Sequence, residues 1–323
     1  MAVRGSTKLR QLLKQRNGEA LFVPGCFNAL TAKVLEKAGF DCIYMTGYGT
    51  SLALLGLPDA GYASMTEMQL NARYIANAVE VPVLADADNG YGNAINVHRC
   101  IREYIQTGVA GVHLEDQVIP KRCGHVAGKT LVSLEEAAGK IRAAAEVRDH
   151  YDPDFLVIAR TDAKGAGLGL DEALKRAEAF LEAGADMAFV EGPETVEEVE
   201  RVCRALPPGS MFYNQTGVSP KFSQQQLTDL GVAIAIAPNT MTRCAVTACY
   251  DLAVKLKEDP LQEGVFNDAI SEHACADIHA FSGFAKVREL EDRYLPADQL
   301  EQKYANATHG WRAEDPADSK KAM

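Results

Sequence analysis

Between residues 21 and 238 the chain repeats one pattern eight times: a short, continuously apolar run, then a stretch with apolar side chains at helical spacing. The runs are LFVPG (21–25), CIYMTG (42–47), VPVLADAD (81–88), AGVHLED (110–116), FLVIARTD (155–162), MAFVEG (187–192), SMFYNQ (210–215) and VAIAIAP (232–238). The helical patterns cover Ala29–Ala38, Met65–Ala78, Ala94–Thr107, Leu134–Val147, Leu170–Ala183, Thr195–Ala205, Ser223–Leu230 and Thr240–Lys257. Runs that are apolar without alternation suit strands buried on both faces, as in a parallel sheet covered by helices. Eight strand–helix units in a chain of this size predict a (β/α)8 barrel. A doubly wound open sheet is the competing arrangement. Against it, the first strand–helix turn, Pro24-Gly25-Cys26-Phe27, lacks the GxGxxG phosphate-binding pattern.

Local chemistry marks the boundaries. Ser64 and Ser133 each precede a glutamate three residues on, which predicts capping boxes. Ala38-Gly39 and Ala183-Gly184 predict helix C-caps that turn into the next strand. Ahead of the barrel, Leu9, Leu12 and Leu13 predict a short helix over Ser6–Arg16. Residues 1–257 are thus expected to form the barrel domain with its N-terminal helix. Residues 258–310 are expected to add a helical extension, amphipathic over 281–295, and residues 311–323 a polar, disordered tail.

Composition excludes several function classes. A net charge of −11 with scattered lysines and arginines leaves no basic stripe for nucleic acid. No apolar run reaches the roughly 18 residues that span a bilayer. The opening residues, MAVRGSTKLRQLLKQRNG, hold no apolar secretory core. The eight cysteines include no CxxC pair, which fits reduced thiols in the cytoplasm. The expected partner is a small molecule, with neither nucleic acid nor membrane involved.

Residues able to carry chemistry fall at the ends of the apolar runs, where a barrel builds its active site. The third run ends in Asp86-Ala87-Asp88, the fourth in Glu115-Asp116, the fifth in Arg160-Thr161-Asp162, the sixth in Glu191 and the seventh in Asn214. Asp86 and Asp88, two apart, face the same way in an extended chain. With Glu115 they make an all-oxygen set suited to a hard cation, Mg2+ or Mn2+, completed by water and substrate oxygens. The alternative is that the aspartates cap the next helix or pair with Arg160. Arg160 is placed to clamp a carboxylate with its two-pronged guanidinium, and its alternative is an ion pair with Glu191. His113 shares a strand face with Glu115, although a lone strand histidine is more often a core residue.

After the fourth run comes a loop dense in reactive groups, Lys121, Arg122, Cys123, Gly124 and His125. Such side chains are not buried without a chemical reason. Its positive neighbours make Cys123 the reactive thiol of the eight, as a nucleophile or a proton donor. Zinc is disfavoured, because no second Cys/His pair stands at zinc spacing.

Taken together, LADADNGYG, GVHLEDQ and KRCGH resemble the isocitrate lyase/phosphoenolpyruvate mutase superfamily, over Phe22 to Leu295. KRCGH resembles the catalytic loop of its lyase branch, the methylisocitrate, 2,3-dimethylmalate and alkylmalate lyases; the mutase branch has no such cysteine loop. The resemblance implies a Mg2+-dependent carbon–carbon lyase acting on a 2-hydroxy di- or tricarboxylate, with an α-keto acid such as pyruvate released. It implies that Asp86, Asp88 and Glu115 hold the metal. It places Tyr44, Thr46, Gly47 and Tyr48 at the α-keto acid end, Asp59 near the 2-oxygen and Arg160 on the carboxylate. His113, Arg122, Gly124, Glu191 and Asn214 would line the rest of the pocket. Cys123 would protonate the departing carboxylate fragment as the 117–131 loop closes, with Lys121 and His125 acting beside it.

Two departures bear on the substrate. Methylisocitrate lyases read SGGG where this chain has Thr46-Gly47-Tyr48-Gly49, and the tyrosine resembles the dimethylmalate and alkylmalate lyases. After Asn214, QTGVSP is shorter than the corresponding methylisocitrate lyase loop. Oxaloacetate hydrolysis or decarboxylation is the alternative within the superfamily, and a non-catalytic carboxylate-binding barrel the alternative outside enzymology. The resemblance further implies a homotetramer, a pair of dimers that exchange C-terminal helices.

Overall fold

The computed structural model describes residues 3–124, 126–259, 275 and 277–305. The expected tail, residues 311–323, lies outside the described residues, and so does His125. Eight parallel strands close into a barrel in chain order. They are β1 Leu21–Cys26, β2 Ile43–Met45, β3 Val83–Asp86, β4 Gly111–Glu115, β5 Leu156–Thr161, β6 Met187–Val190, β7 Met211–Asn214 and β8 Val232–Ala237. The predicted (β/α)8 fold is the observed one.

The helices between and before them are α1 Gly5–Gln15, α2 Ala29–Lys37, α3 Gly47–Leu55, α4 Met65–Ala78, α5 Ala94–Thr107, α6 Leu134–Tyr151, α7 Gly169–Glu182, α8 Val196–Ala205 and α9 Gln224–Asp229. After β8 come α10 Thr240–Glu258, α11 Ile278–Ser282, α12 Phe284–Tyr294 and α13 Ala297–Ala305. Contacts divide the chain into one compact unit that ends at Val246 and a second that begins at Thr247, so the boundary falls within α10. The division expected at residue 257 falls near the end of that same helix.

Strand residues are buried on both faces, as their uninterrupted apolar character demands. The barrel interior is filled by Leu21, Val23, Leu84, Leu156, Ile158, Phe189, Phe212 and Ile234. Leu9 of α1 is fully buried in the same cluster. Polar pairs tie α1 to the loops beside it: Ser6 donates to Asp152 at 2.8 Å and Arg10 pairs with Asp186 at 2.6 Å. α1 therefore plugs one end of the barrel.

The predicted caps are formed to different degrees. At Ser64 the box is reciprocal, with the hydroxyl accepting from the Glu67 amide and the Glu67 carboxylate accepting from the Ser64 amide at 2.7 Å. At Ser133 only the serine half is made, on the Glu136 amide at 3.1 Å. Gly39 (φ 90°) and Gly184 (φ 104°) adopt the left-handed conformation of C-caps.

One helix was not expected. Residues 47–55 carry glycines at 47 and 49 that weaken any helical signal, yet α3 forms there. Thr46 is its N-cap, accepting from the Gly49 amide at 3.4 Å.

Candidate active site

Strand register assembles the site. β3 and β4 set Asp86 opposite His113, β4 and β5 set Glu115 opposite Arg160, and β5 and β6 set Arg160 opposite Phe189. A row of ionisable groups thus stands across neighbouring strand ends, at the end of the barrel where this fold binds ligands.

Asp86 is buried at the tip of β3. Its Oδ2 accepts from the Gly47 amide at the start of α3 (3.2 Å), and its Oδ1 accepts from the Asp88 amide (2.8 Å). A Cβ at position 47 would collide with the Asp86 carboxylate and displace it, so glycine there lets the helix start approach Asp86. Asp88 reaches the cluster by a different route from the extended chain the spacing suggested. Its backbone is left-handed (φ 49°), outside the strand, and its Oδ1 meets the Lys121 ammonium at 2.7 Å. Lys121 also binds Asp59 at 2.5 Å. Burial raises the Asp88 carboxyl to about 7 and Glu115 well above the carboxylate range. Burial acts on Asp86 in the same direction, but His113, Lys121 and Arg160 outweigh it and hold that carboxyl below its usual range. His113 lies between Tyr44 and Asp86, its Nε2 2.5 Å from the Tyr44 hydroxyl and 3.5 Å from Asp86 Oδ1. Burial lowers its pKa to about 4, so the ring is neutral at pH 7.

Three buried carboxylates in one corner, sharing the two cations Lys121 and Arg160 with Asp59, Asp162 and Glu191, are an all-oxygen donor set suited to a hard cation. Among the described residues, however, no three His, Cys, Asp or Glu side chains form a ready-made ion cage. An ion held by Asp86, Asp88 and Glu115 would complete its shell with water and substrate oxygens, which is how Mg2+ is usually bound.

Arg160 is enclosed by carboxylates. Its fork lies on Asp162 (Nε–Oδ2 2.8 Å, Nη2–Oδ1 3.0 Å), with Glu191 at 3.3 Å and Glu115 at 3.5 Å. The guanidinium rests over the Phe189 ring, 5.1 Å from its centroid. The ion pair with Glu191 considered from sequence is present, but Asp162 takes the two-pronged contact. Asp162 is positioned by Asp116, which accepts from the Asp162 amide (3.0 Å), the Thr161 hydroxyl (2.7 Å) and Arg176 of α7 (3.0 Å).

Of the 117–131 loop, the described residues 117–124 and 126–131 lie over this cluster. Its base is closed by an antiparallel bridge between Gln117 and Leu131. Gln117 donates to Glu115 (3.0 Å) and to the Arg122 carbonyl (2.7 Å), and the Cys123 amide donates to the Asp59 carbonyl (3.0 Å). A Cβ on Gly124 would collide with Arg160 Nη2 and stand 3.0 Å from the Glu191 side chain. This is a seated lid.

Beneath it remains a cavity of about 40 Å3. Its walls include Tyr44, Thr46, Tyr48, Asp59, Asp86, Cys123, Gly124, Arg160, Glu191 and Asn214 from the residues named on sequence grounds. His113, Gly47, Asp88, Glu115 and Lys121 stand behind that lining and contact it. Arg122 goes elsewhere: it is exposed, with Nη1 on the Ala127 carbonyl of its own loop (3.4 Å). Sequence reasoning missed Asn239, which lines the cavity and lies 3.3 Å from the Thr46 hydroxyl. The strand-end rule applied to β8 finds it. It also missed the part played by Asp162, although Arg160 lies only two residues before it.

The phosphoenolpyruvate phosphomutase family model matches residues 9–257. The chain belongs to the phosphoenolpyruvate mutase/isocitrate lyase superfamily. The 2,3-dimethylmalate lyase of Eubacterium barkeri is 44% identical over 291 residues, covering 90% of this chain and 98% of that one. A 2-methylisocitrate lyase of Shewanella oneidensis is 34% identical, covering 90% and 98%. Among solved structures, a 2,3-dimethylmalate lyase has a TM-score of 0.85 at 34% identity, covering 96% of this chain and 99% of that chain. Oxaloacetate acetylhydrolase with 3,3-difluorooxalacetate gives 0.81 at 34%, covering 90% and 96%. Phosphonopyruvate hydrolase with oxalate and Mg++ gives 0.80 at 33%, covering 91% and 100%. These lyases put this superfamily member among the carbon–carbon lyases. No helix among the described residues is long and apolar enough to cross a membrane.

Proposed function

We propose that the chain cleaves a 2-hydroxy dicarboxylate of the alkylmalate type, 2,3-dimethylmalate foremost, into pyruvate and propionate. The observation that carries this reading is Cys123, a lid thiol facing the same small cavity as Arg160, Tyr44 and Asp86. A thiol held above a carboxylate-binding floor suits protonation of a carbon that has just lost its bond. The extent of the likeness to 2,3-dimethylmalate lyase, and Tyr48 at the cavity wall, favour an alkylmalate over a tricarboxylate.

The residues divide the work. Arg160 binds the carboxylate that becomes that of pyruvate, and Tyr44, Thr46 and the amides at the start of α3 orient the 2-oxygen. Glu191, with Arg160 at 3.3 Å and Asn214 at 3.4 Å, takes the 2-hydroxyl proton. As C2–O becomes a carbonyl, the C2–C3 bond breaks and its electron pair passes to C3 and the adjoining carboxylate. Cys123 delivers its proton to C3, giving propionate, and is reprotonated when the lid lifts. Asp86, Asp88 and Glu115 would hold Mg2+, with Mn2+ as a substitute; when bound it supplies charge that stabilises the developing oxyanions. The seated lid keeps water from the reacting carbon. His125 and Lys121 act with the lid, Lys121 by fixing it to Asp59 and Asp88.

Oxaloacetate hydrolysis is the second reading, favoured by the likeness to oxaloacetate acetylhydrolase. The enzyme is further proposed to work in the cytoplasm as a homotetramer of helix-exchanged dimers.

Purified protein with Mg2+ is offered 2,3-dimethylmalate, 2-methylisocitrate and oxaloacetate, and keto acid, oxalate and acetate are followed. The expected result is highest kcat/KM on 2,3-dimethylmalate, abolition by chelation, and loss of about a thousandfold in kcat in Cys123→Ala with substrate binding retained. Oxalate and acetate as the dominant products would replace the lyase reading with the hydrolase one. Near-wild-type cleavage by Cys123→Ala would remove the proton-donor role.

A further inference from the structure

One buried contact of the lid takes no part in the chemistry above. Lys129, on the returning leg of the loop, has a side chain 2% exposed, and the Asp162 side chain is 0% exposed. Its Nζ stands 3.3 Å from Asp162 Oδ1 and donates a hydrogen bond to the carbonyl of Gly124, the residue after Cys123. Asp162 Oδ1 is the same oxygen that accepts from Arg160 Nη2. One ammonium therefore touches both the leading edge of the lid and the carboxylate that holds Arg160. Gly165 leaves it room, since a Cβ there would collide with Lys129 Nζ.

Burying an ammonium is unfavourable unless its donors are matched. One of the two matches depends on the lid being seated, since Asp162 lies on the strand end below it, while the Gly124 carbonyl lies within the lid itself. Lifting the loop takes Lys129 off Asp162, whose charge then answers Arg160 alone. Seating the loop shares that carboxylate between two cations, which weakens its hold on the guanidinium fork. A substrate carboxylate competes for Arg160 more easily in the second state.

We propose that Lys129 is a positioning residue that couples lid closure to Arg160, seating Cys123-Gly124 over the cavity and sharing the Asp162 carboxylate with the guanidinium fork. The roles of Arg160 and Cys123 rest on the lyase reading, but closure can be read without turnover.

Closure is measured as protection of Cys123 from iodoacetamide by oxalate with Mg2+. The Cys123 peptide is followed by mass spectrometry, because Cys244 and Cys249 are exposed. The wild type is expected to be protected at least about tenfold, Lys129→Met less than about twofold, and Lys129→Arg in between. In turnover, Lys129→Met is expected to lower kcat about a hundredfold with KM changed less than about threefold and the thermal midpoint unmoved. Gly165→Ala keeps the lysine but fills its seat, and should reproduce the loss of protection. Full protection and wild-type kcat in Lys129→Met overturn the proposal. So does a wild type that oxalate and Mg2+ do not protect, since its lid then does not close over Cys123. Loss of protection that accompanies a lowered thermal midpoint, and that Gly165→Ala does not reproduce, marks a merely structural lysine and overturns it too. Protection that responds to Lys129 in an enzyme turning over no carboxylate would keep the coupling and refute the lyase reading.

Discussion

At the scale of single residues, the site is defined as much by what is missing from it as by its charged groups. Gly124 is the clearest case, because its bare Cα lets the lid lie against Arg160 and Glu191. Gly124→Ala should lower kcat by about ten- to a hundredfold, through a lid that no longer seats. The thermal midpoint should stay within about 2 °C of wild type, because the lid is partly exposed and carries none of the core. Stopped turnover with an unaltered midpoint supports this; wild-type turnover shows that Arg160 and Glu191 yield to a methyl group. The strand-end residues Asp86, Glu115, Arg160, Glu191 and Asn214 were legible in sequence because barrel topology alone carries them to one rim. Asp88 was legible for an incomplete reason, since a left-handed turn and Lys121, rather than strand alternation, bring it in. Asp162 and Lys129 were not legible as a pair, because their contact exists only once the lid has folded back on β5. Arg122 illustrates the same limit from the other side: inside a loop, sequence proximity to Cys123 does not fix which way a side chain turns.

At the scale of elements, the eight strands and the helices between them followed from apolar periodicity, while α3 did not. Glycines at its start suppress the helical signal, and what forms it is tertiary: the Thr46 cap and the Asp86 carboxylate on the Gly47 amide. The functional end of the barrel thus departs most from local propensity, as expected where function constrains the backbone. The opposite end answers to packing alone. Leu9 of α1 is fully buried among barrel side chains, so Leu9→Ala should cost about 2–5 kcal/mol, the range for truncating a buried leucine. Denaturant titration measures that loss. The same variant should keep wild-type kcat and KM at a temperature where it is folded, because α1 packs on the loops that lead into β5 and β6, whereas the cavity lies at the other ends of those strands. A fall in kcat without a fall in stability would show that the plug and the catalytic rim communicate.

At the scale of the whole molecule, the chain's acidic charge and eight cysteines do not choose a quaternary state. Burial patterns go further. Of the 19 residues of α10, only Thr242 is buried, although the helix has the periodicity of a packed element. Val246, Tyr250 and Val254, at spacing four, lie 55%, 68% and 40% exposed. An apolar stripe of that kind on a surface helix is ordinarily covered by something. α12 repeats the pattern with Val287 and Leu290 exposed on a helix that has no buried residue. The helix-exchanged tetramer proposed above would cover both stripes with copies of the same chain, and closed symmetry would limit how many copies can do so. Light scattering on the purified protein should therefore give four copies, independent of concentration over the micromolar range. Tyr250→Glu places a charge in the middle of the α10 stripe, where burial against a partner would leave it unpaired. That variant should dissociate to smaller species and keep the circular dichroism of a folded barrel. A tetramer that withstands Tyr250→Glu would mean that α10 does not face another subunit. A wild-type monomer would mean that the stripes serve neither exchange nor assembly.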